Sequence, residues 1–363
     1  MRIGIVGLPQ VGKTSVFQAL TGSTAGVGVA PVPDPRVDRL AAMFNPRKTT
    51  YAQLELVDLP SYPLSGGPAG TPAGGKTVEQ ARRAFLEAVR DVDALIQVVR
   101  AFDNPAVPPP LGSINPAREF ATLQEEFQLS DYQVLQNRLE RLAKTGRGRT
   151  GNPASARSEA ELLERCSACL EEGKPLRTLS LAAEEEKLLR GFDLFTFRPV
   201  ILVVNLDEDE WRRGKYTGQE VLEALAAAQH LPVLPICGRL EQEIAELPPE
   251  EREAFAHELG IEETGIARLA RTTYAHLGLI SFFTVGEDEV KAWTIRRGMS
   301  AREAAGRIHS DIARGFIRAE VVTYADLMAC GSLAAARDKG LLRLEGKDYV
   351  MQDGDIVNFR FHV

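Results

Sequence analysis

Apolar residues fall into short runs over the first hundred positions and again past residue 200. The runs at 3–7, 200–204 and 231–236 carry no polar side chain, and those at 54–59 and 94–99 are interrupted only by Glu55, Asp58 and Gln97. A strand with one wetted face alternates, whereas a strand covered on both faces does not. Amphipathic stretches at 13–20, 78–90 and 218–228 fall between some of these runs. The pattern predicts an α/β core with a mostly parallel sheet and helices on both faces.

The alternation breaks between 118 and 190, where no strand signal occurs. Phe120, Leu123, Phe127, Tyr132, Leu135, Leu139 and Leu142 recur mostly every three or four residues, and Leu163, Cys166 and Leu170 repeat the spacing. Between them, residues 145–155 form a turn-rich tract that no helix should cross. Two long helices forming an inserted hairpin are expected. From about residue 281 the pattern changes again. Strands are expected near 281–285, 291–295, 319–323 and 356–361, with one long helix at 300–309 opened by a Ser300/Glu303 capping box. Asp353-Gly354-Asp355 marks a tight turn before the last strand. This is the signature of a small α+β module with one helix crossing its sheet.

The 363 residues are 44% hydrophobic and 26% charged, which excludes a disordered tail, a fibrous rod or a disulfide-stapled miniprotein. A net charge of −7 supplies no global basic field, so DNA is not an expected partner, and any RNA contact must come from a local patch. Four scattered cysteines make no disulfide framework. The first residues read as a buried strand rather than a leader, and no apolar run approaches the roughly 18 residues of a membrane span. A cytoplasmic protein without a membrane partner is expected.

Gly7-Leu-Pro-Gln-Val-Gly12-Lys13-Thr14 matches G-x-x-x-x-G-K-[ST], with a strand before it and a helix after it. Glycines let the loop turn its N–H groups inward onto a triphosphate, and the following helix offers its positive end. Pro9, Gln10, Val11, Gly12, Lys13, Thr14 and Ser15 are therefore the expected phosphate-binding stretch. Lys13 would reach the phosphates and Thr14 would offer its hydroxyl to Mg²⁺. Asp58, at the end of the second apolar run, suits the acid that holds Mg²⁺ through water. Lys13 and Asp58 are the expected catalytic pair, although a strand-end turn role for Asp58 is the plain alternative. GTPases carry D-x-x-G here, and in this chain the glycine position is Ser61, followed by Tyr62 where a water-orienting Gln is common.

Asn205-Leu206-Asp207-Glu208 occupies the place of the GTPase N-K-x-D base-reading motif. The missing Lys and the longer acid fit guanine poorly, so adenine or a relaxed preference is expected, with GTP as the alternative. Cys237 and Gly238 sit where such proteins close over the base.

These motifs, in this order, resemble the Obg-like ATPase (YchF) family over nearly the whole chain. Residues 32–40, Asn205-Leu-Asp-Glu208 and Gly238-Arg-Leu-Glu241 are similar to family signatures. So are Ala292-Trp293-Thr294-Ile295, residues 315–320, residues 344–349 and Asp353-Gly354-Asp355. The resemblance implies a P-loop domain (1–117 and 191–280), a helical hairpin insertion (118–190) and a β-grasp-like TGS domain (281–363). It implies an ATP-preferring, ribosome-associated nucleotide hydrolase using Mg²⁺, with Glu208 near the base and a hydrophobic residue in place of the catalytic Gln. The chain also departs from the family. The stretch after Leu20 is short, Ser61 replaces a glycine, and no His lies in the loop 102–110. Binding parts are intact while hydrolysis parts are eroded, so slow hydrolysis is expected, with a nucleotide-binding scaffold that has lost hydrolysis as the alternative.

Arg138, Arg141, Lys144, Arg147, Arg149 and Arg157 cluster about the hairpin tip, and Arg147 and Arg149 are the expected rRNA or partner contacts. A merely solvated tip is the alternative. Cys166 and Cys169 read as two buried small residues on a helix rather than a metal pair. Trp293 reads equally as core or as an exposed contact.

Overall fold

The computed structural model describes residues 1–64, 77–145 and 153–362, apart from the side chains of residues 145, 153–156, 249, 250 and 253. Among these residues the strands are β1 Arg2–Gly7, β2 Val27–Val32, β3 Lys48–Thr50, β4 Ala52–Asp58, β5 Ala94–Arg100 and β6 Val200–Asn205. They continue as β7 Val233–Ile236, β8 Leu279–Thr284, β9 Glu289–Arg296, β10 Phe316–Thr323, β11 Arg343–Glu345 and β12 Asp355–Phe361. No described helix is long and apolar enough to cross a membrane.

The chain packs as two units, Met1–Gly28 with Glu55–Ile266, and Val29–Leu54 with Ala267–Val363. In the first, β4, β1, β5, β6 and β7 pair in that order, all parallel. Every residue of β5 and β6 is buried, Gln97 and Arg100 included, whereas β4 and β7 bury alternate positions and so depart from the expectation of strands covered on both faces. The registers Gly7↔Val98, Arg100↔Asn205 and Asn205↔Ile236 bring the carboxyl ends of four strands to one edge. That edge is where open α/β sheets hold their ligands.

The expected helices appear as Lys13–Thr21, Val78–Arg90 and Gln219–Ala228. The hairpin appears as helices Pro116–Thr145 and Pro153–Glu171. Phe120, Leu123 and Phe127, near the start of the long helix, pack with Phe85, Val89, Phe195 and Leu202. Further along, Leu135 joins Leu162, Leu163, Cys166 and Cys169 in a separate cluster. Both cysteines are thus core residues.

In the second unit the sheet order is β11-β10-β12-β8-β9-β3. Helix Ala301–Ile308 lays Ala301, Ala304 and Ala305 on it, all fully buried. Alanines on that face let helix and sheet approach closely, which gives the β-grasp-like layer. The Ser300/Glu303 capping box is present, with Ser300 N donating to Glu303 Oε2 at 2.8 Å. Gly354 takes φ +92°, so a left-handed residue turns the chain into β12. Trp293 stacks on Phe282 at 6.4 Å and donates from its indole to Thr284 at 2.9 Å, so it belongs to the module's core layer.

The packing divides the chain differently from a boundary at 281. Residues 29–54 group with the C-terminal segment, because β3 pairs in parallel with β9 and Arg36 forks onto Asp353 at 2.9 and 3.3 Å. Neither link leaves a local signal. β3 is only Lys-Thr-Thr, a polar triplet whose extended form is set by its partner strand.

Candidate functional site

β1 delivers the chain to the carboxyl edge at Gly7. A Cβ there would lie 2.7 Å from the Val98 carbonyl oxygen, so only glycine lets the strand end against β5. The loop then curls through two left-handed residues, Gln10 (φ +63°) and Gly12 (φ +84°). Helix Lys13–Thr21 starts from Gly12 with no side-chain cap. Its first N–H groups therefore remain available to an anion.

Lys13 and Thr14 both turn to Asp58. The Lys13 ammonium, 7% exposed, forms an ion pair with the carboxylate, and the Thr14 hydroxyl donates to Asp58 Oδ2 at 2.9 Å. Parallel pairing of β1 with β4 (Ile5↔Asp58) places this acid beside the loop. The trio gathers one cation and three oxygen atoms at the helix start.

Asn205, at the end of β6, ties the loop to the far side of the edge. Its Nδ2 donates to the Val11 carbonyl at 3.0 Å and its Oδ1 accepts from Gly238 N at 3.0 Å. Both neighbours must be glycine-like. A Cβ on Gly12 would stand 2.0 Å from Asn205 Nδ2, and one on Gly238 would stand 2.9 Å from Oδ1. Spacing alone does not reveal this clamp, which joins residues nearly two hundred positions apart.

Beside the clamp opens a cleft of about 740 Å³. Its lining brings together the expected Gln10, Gly12, Ser15, Asn205, Leu206, Glu208 and Cys237. It adds Phe102, Asn104, Arg239 and Gln242, which sequence reasoning did not select as binding residues. The sequence signal for Phe102 is its place at the start of the loop 102–110 that follows the apolar run 94–99. The parallel register carries the end of β5 next to Asn205, and Phe102 N donates to the Asn205 carbonyl at 3.1 Å. Asp207 caps helix Glu208–Arg213 by accepting from Glu210 N at 2.8 Å. Glu208 stands in that first turn, 3.6 Å from Arg212. Burial pushes the Cys237 thiol up, so it lines the cleft as a neutral group. Pro9 lies on the loop between the two left-handed positions and the strand end.

Tyr62 donates from its hydroxyl to Glu126 Oε2 at 2.9 Å, on helix Pro116–Thr145. Burial, with Glu126 adding to it, pushes its phenol up to about 12, so the hydroxyl keeps its proton. Among the described residues no group of three or more His, Cys, Asp or Glu side chains converges as a metal cage.

Arg147 and Arg149 lie outside the described residues. Around them, Arg138 forks onto Glu159 at 2.7 and 3.0 Å, and Arg157 pairs with Glu161 at 3.1 Å. Acids of the second helix thus offset part of the basic cluster.

Two family models match the chain. One described as "50S ribosome-binding GTPase" covers residues 2–138, and YchF-GTPase_C, described as "Protein of unknown function (DUF933)", covers 279–362. The "Ribosome-binding ATPase YchF" of Bacillus subtilis is 39% identical over 99% of both chains. The "Obg-like ATPase 1" of Oryza sativa is 35% identical over 100% of this chain and 92% of its own length. The solved structure of the Schizosaccharomyces pombe YchF GTPase superposes with a TM-score of 0.88 at 30% identity, covering 99% of this chain and 97% of that one.

Proposed function

Because the chain belongs to the YchF family of Obg-like ATPases, we propose that it is an ATP-preferring P-loop hydrolase of low turnover that acts as a ribosome-associated switch. The observation that carries the reading is the convergence of Lys13 and Thr14 on Asp58 at the mouth of the Asn205-clamped loop. Phosphates would sit at the start of helix Lys13–Thr21 and draw the Lys13 ammonium from Asp58. The base would enter the adjoining cleft toward Glu208, Leu206, Cys237 and Gly238. The three-part division into P-loop domain, hairpin and TGS domain belongs to the same proposal.

Thr14 and Asp58 bring a hydroxyl and a carboxylate within 2.9 Å. These hard oxygen donors suit Mg²⁺, which keeps several waters and binds through few protein ligands. Those two residues would hold it, and when bound it would neutralise charge on the β- and γ-phosphates. Low turnover follows from the chain's own residues. Tyr62 supplies no carboxamide to orient water, and Ser61 replaces the glycine of the D-x-x-G pattern.

Titration calorimetry with a non-hydrolysable ATP analogue and its GTP counterpart, with Mg²⁺, tests the reading. Saturable binding of the ATP analogue that Lys13→Ala abolishes supports it. Binding of neither analogue overturns it, and a preference for the GTP counterpart overturns the adenine assignment. A second reading, a binding scaffold without hydrolysis, is favoured by the engagement of Tyr62 with Glu126. Single-turnover hydrolysis distinguishes the two.

A further inference from the structure

The segment leaving Asp58 is held at both ends. Leu59 N donates to the Ile5 carbonyl at 3.2 Å and Tyr62 N donates to the Gly7 carbonyl at 3.0 Å, so the backbone between them tracks the phosphate loop's own strand. The Tyr62 side chain then ends on the hairpin. Its hydroxyl meets Glu126 Oε2, while Glu126 Oε1 accepts from Arg82 Nε at 2.6 Å and Arg82 also ion-pairs with the carboxylate. Glu126 is 4% exposed. The Tyr62 ring stands edge-on to Phe85 at 5.4 Å, and Phe85 stacks parallel on Phe127 at 6.2 Å.

This arrangement resists partial change. A buried carboxylate that loses one partner keeps its desolvation penalty, so Tyr62, Glu126 and Arg82 remain together or part together. The segment also begins at Asp58, the acid that Lys13 and Thr14 both engage. Any ligand that draws Lys13 from Asp58 acts four positions from the Tyr62 tether, with only Leu59, Pro60 and Ser61 between, where Pro60 restricts the backbone.

We propose that Glu126 is a positioning residue that, through Tyr62, couples the γ-phosphate end of the nucleotide site to the base of the helical hairpin. The proposal rests on the nucleotide reading above. The two states are a Lys13–Asp58-paired loop with the Tyr62–Glu126–Arg82 group closed, and a phosphate-engaged loop with that group rearranged. By reciprocity, whatever fixes the base of the hairpin changes triphosphate affinity by the same factor.

The test uses the full chain with Mg²⁺. Affinities for ADP and for a non-hydrolysable ATP analogue are measured by calorimetry, and amide hydrogen exchange of residues 116–130 is followed in each complex. Tyr62→Phe keeps the ring on Phe85 and removes only the hydroxyl; Glu126→Gln keeps an acceptor and removes the charge facing Arg82. In the wild type, the ATP analogue is expected to change exchange in 116–130 relative to ADP. Tyr62→Phe is expected to abolish that difference and to alter the ratio of the two affinities by about fivefold or more, with ADP affinity unchanged. Glu126→Gln, folded by its melting curve, should do the same. If wild type binds no nucleotide, the functional reading falls and the coupling with it. If wild type binds, and both variants keep the full exchange difference and affinity ratio, the coupling alone is overturned.

Discussion

Asn205 donates its carboxamide N–H to the carbonyl of Val11 across 194 positions of sequence, at 3.0 Å. The bond is buried and fixes the carbonyl that precedes Gly12, so the curvature of the phosphate loop depends on a residue at the end of another strand. Asn205→Asp removes the donor and sets a carboxylate against that carbonyl. It is expected to weaken binding of the ATP analogue at least about tenfold and to cost about 1–3 kcal/mol of stability. Calorimetry and urea unfolding check the two effects.

Gly12→Ala should fail for two reasons. Its φ of +84° is unfavourable for any side chain, and the new methyl would meet Asn205 Nδ2 at 2.0 Å. Backbone strain of about 1–2 kcal/mol is expected from the first alone. In an Asn205→Ala background the clash disappears and the strain stays. The double variant should therefore be more stable than the sum of the single losses predicts, a non-additivity that a double-mutant cycle by urea unfolding reads directly.

Asp58→Asn keeps an acceptor for Thr14 and removes the charge that pairs with Lys13. If Asp58 serves the metal, chelation of Mg²⁺ should weaken ATP-analogue binding in the wild type by about tenfold or more and leave the Asp58→Asn affinity nearly unchanged. Calorimetry with and without EDTA is the measurement. Equal sensitivity of both proteins would remove Asp58 from the metal-binding role.

Glu119 provides a pH signature. Its carboxyl is 1% exposed, accepts from Arg100 N at 2.8 Å and is pushed up to about 7, chiefly by burial. The folded chain thus holds this proton where the unfolded chain has released it. Its contribution is complete below about pH 4.5 and is lost as pH rises through about 7, amounting to up to about 3 kcal/mol. Asp131, pushed up to about 6 by burial, adds a loss of the same sign at lower pH. The clean readout is therefore the difference between wild type and Glu119→Gln. That variant should gain relative stability between pH 5 and pH 8 in urea titrations.

Arg147→Ala with Arg149→Ala should weaken co-sedimentation with ribosomes and flatten its salt dependence, each phosphate contact contributing a slope of about one. Arg138→Ala should instead lower hairpin stability without that effect, because Glu159 already pairs with it. Unchanged sedimentation of the double variant at every salt concentration would leave the tip without a nucleic-acid role.

The sequence by itself determined what local chemistry and periodicity can carry. Apolar runs named the parallel strands, buried throughout in β5 and β6 but only at alternate positions in β4 and β7, three-and-four spacing named the hairpin helices, and Gly7 through Thr14 declared a phosphate loop between strand and helix. Ser300 and Glu303 marked a helix start because a capping box closes within four residues. What the tertiary structure decided involves partners far apart in the chain. The pairing of β3 with β9 turns a polar triplet into a strand, and Arg36 reaches Asp353 across 317 positions. The Asn205 clamp and the Tyr62–Glu126 bond belong to the same class. Their energies depend on which groups folding brings together in a dry interior, and no window of neighbouring residues contains that information.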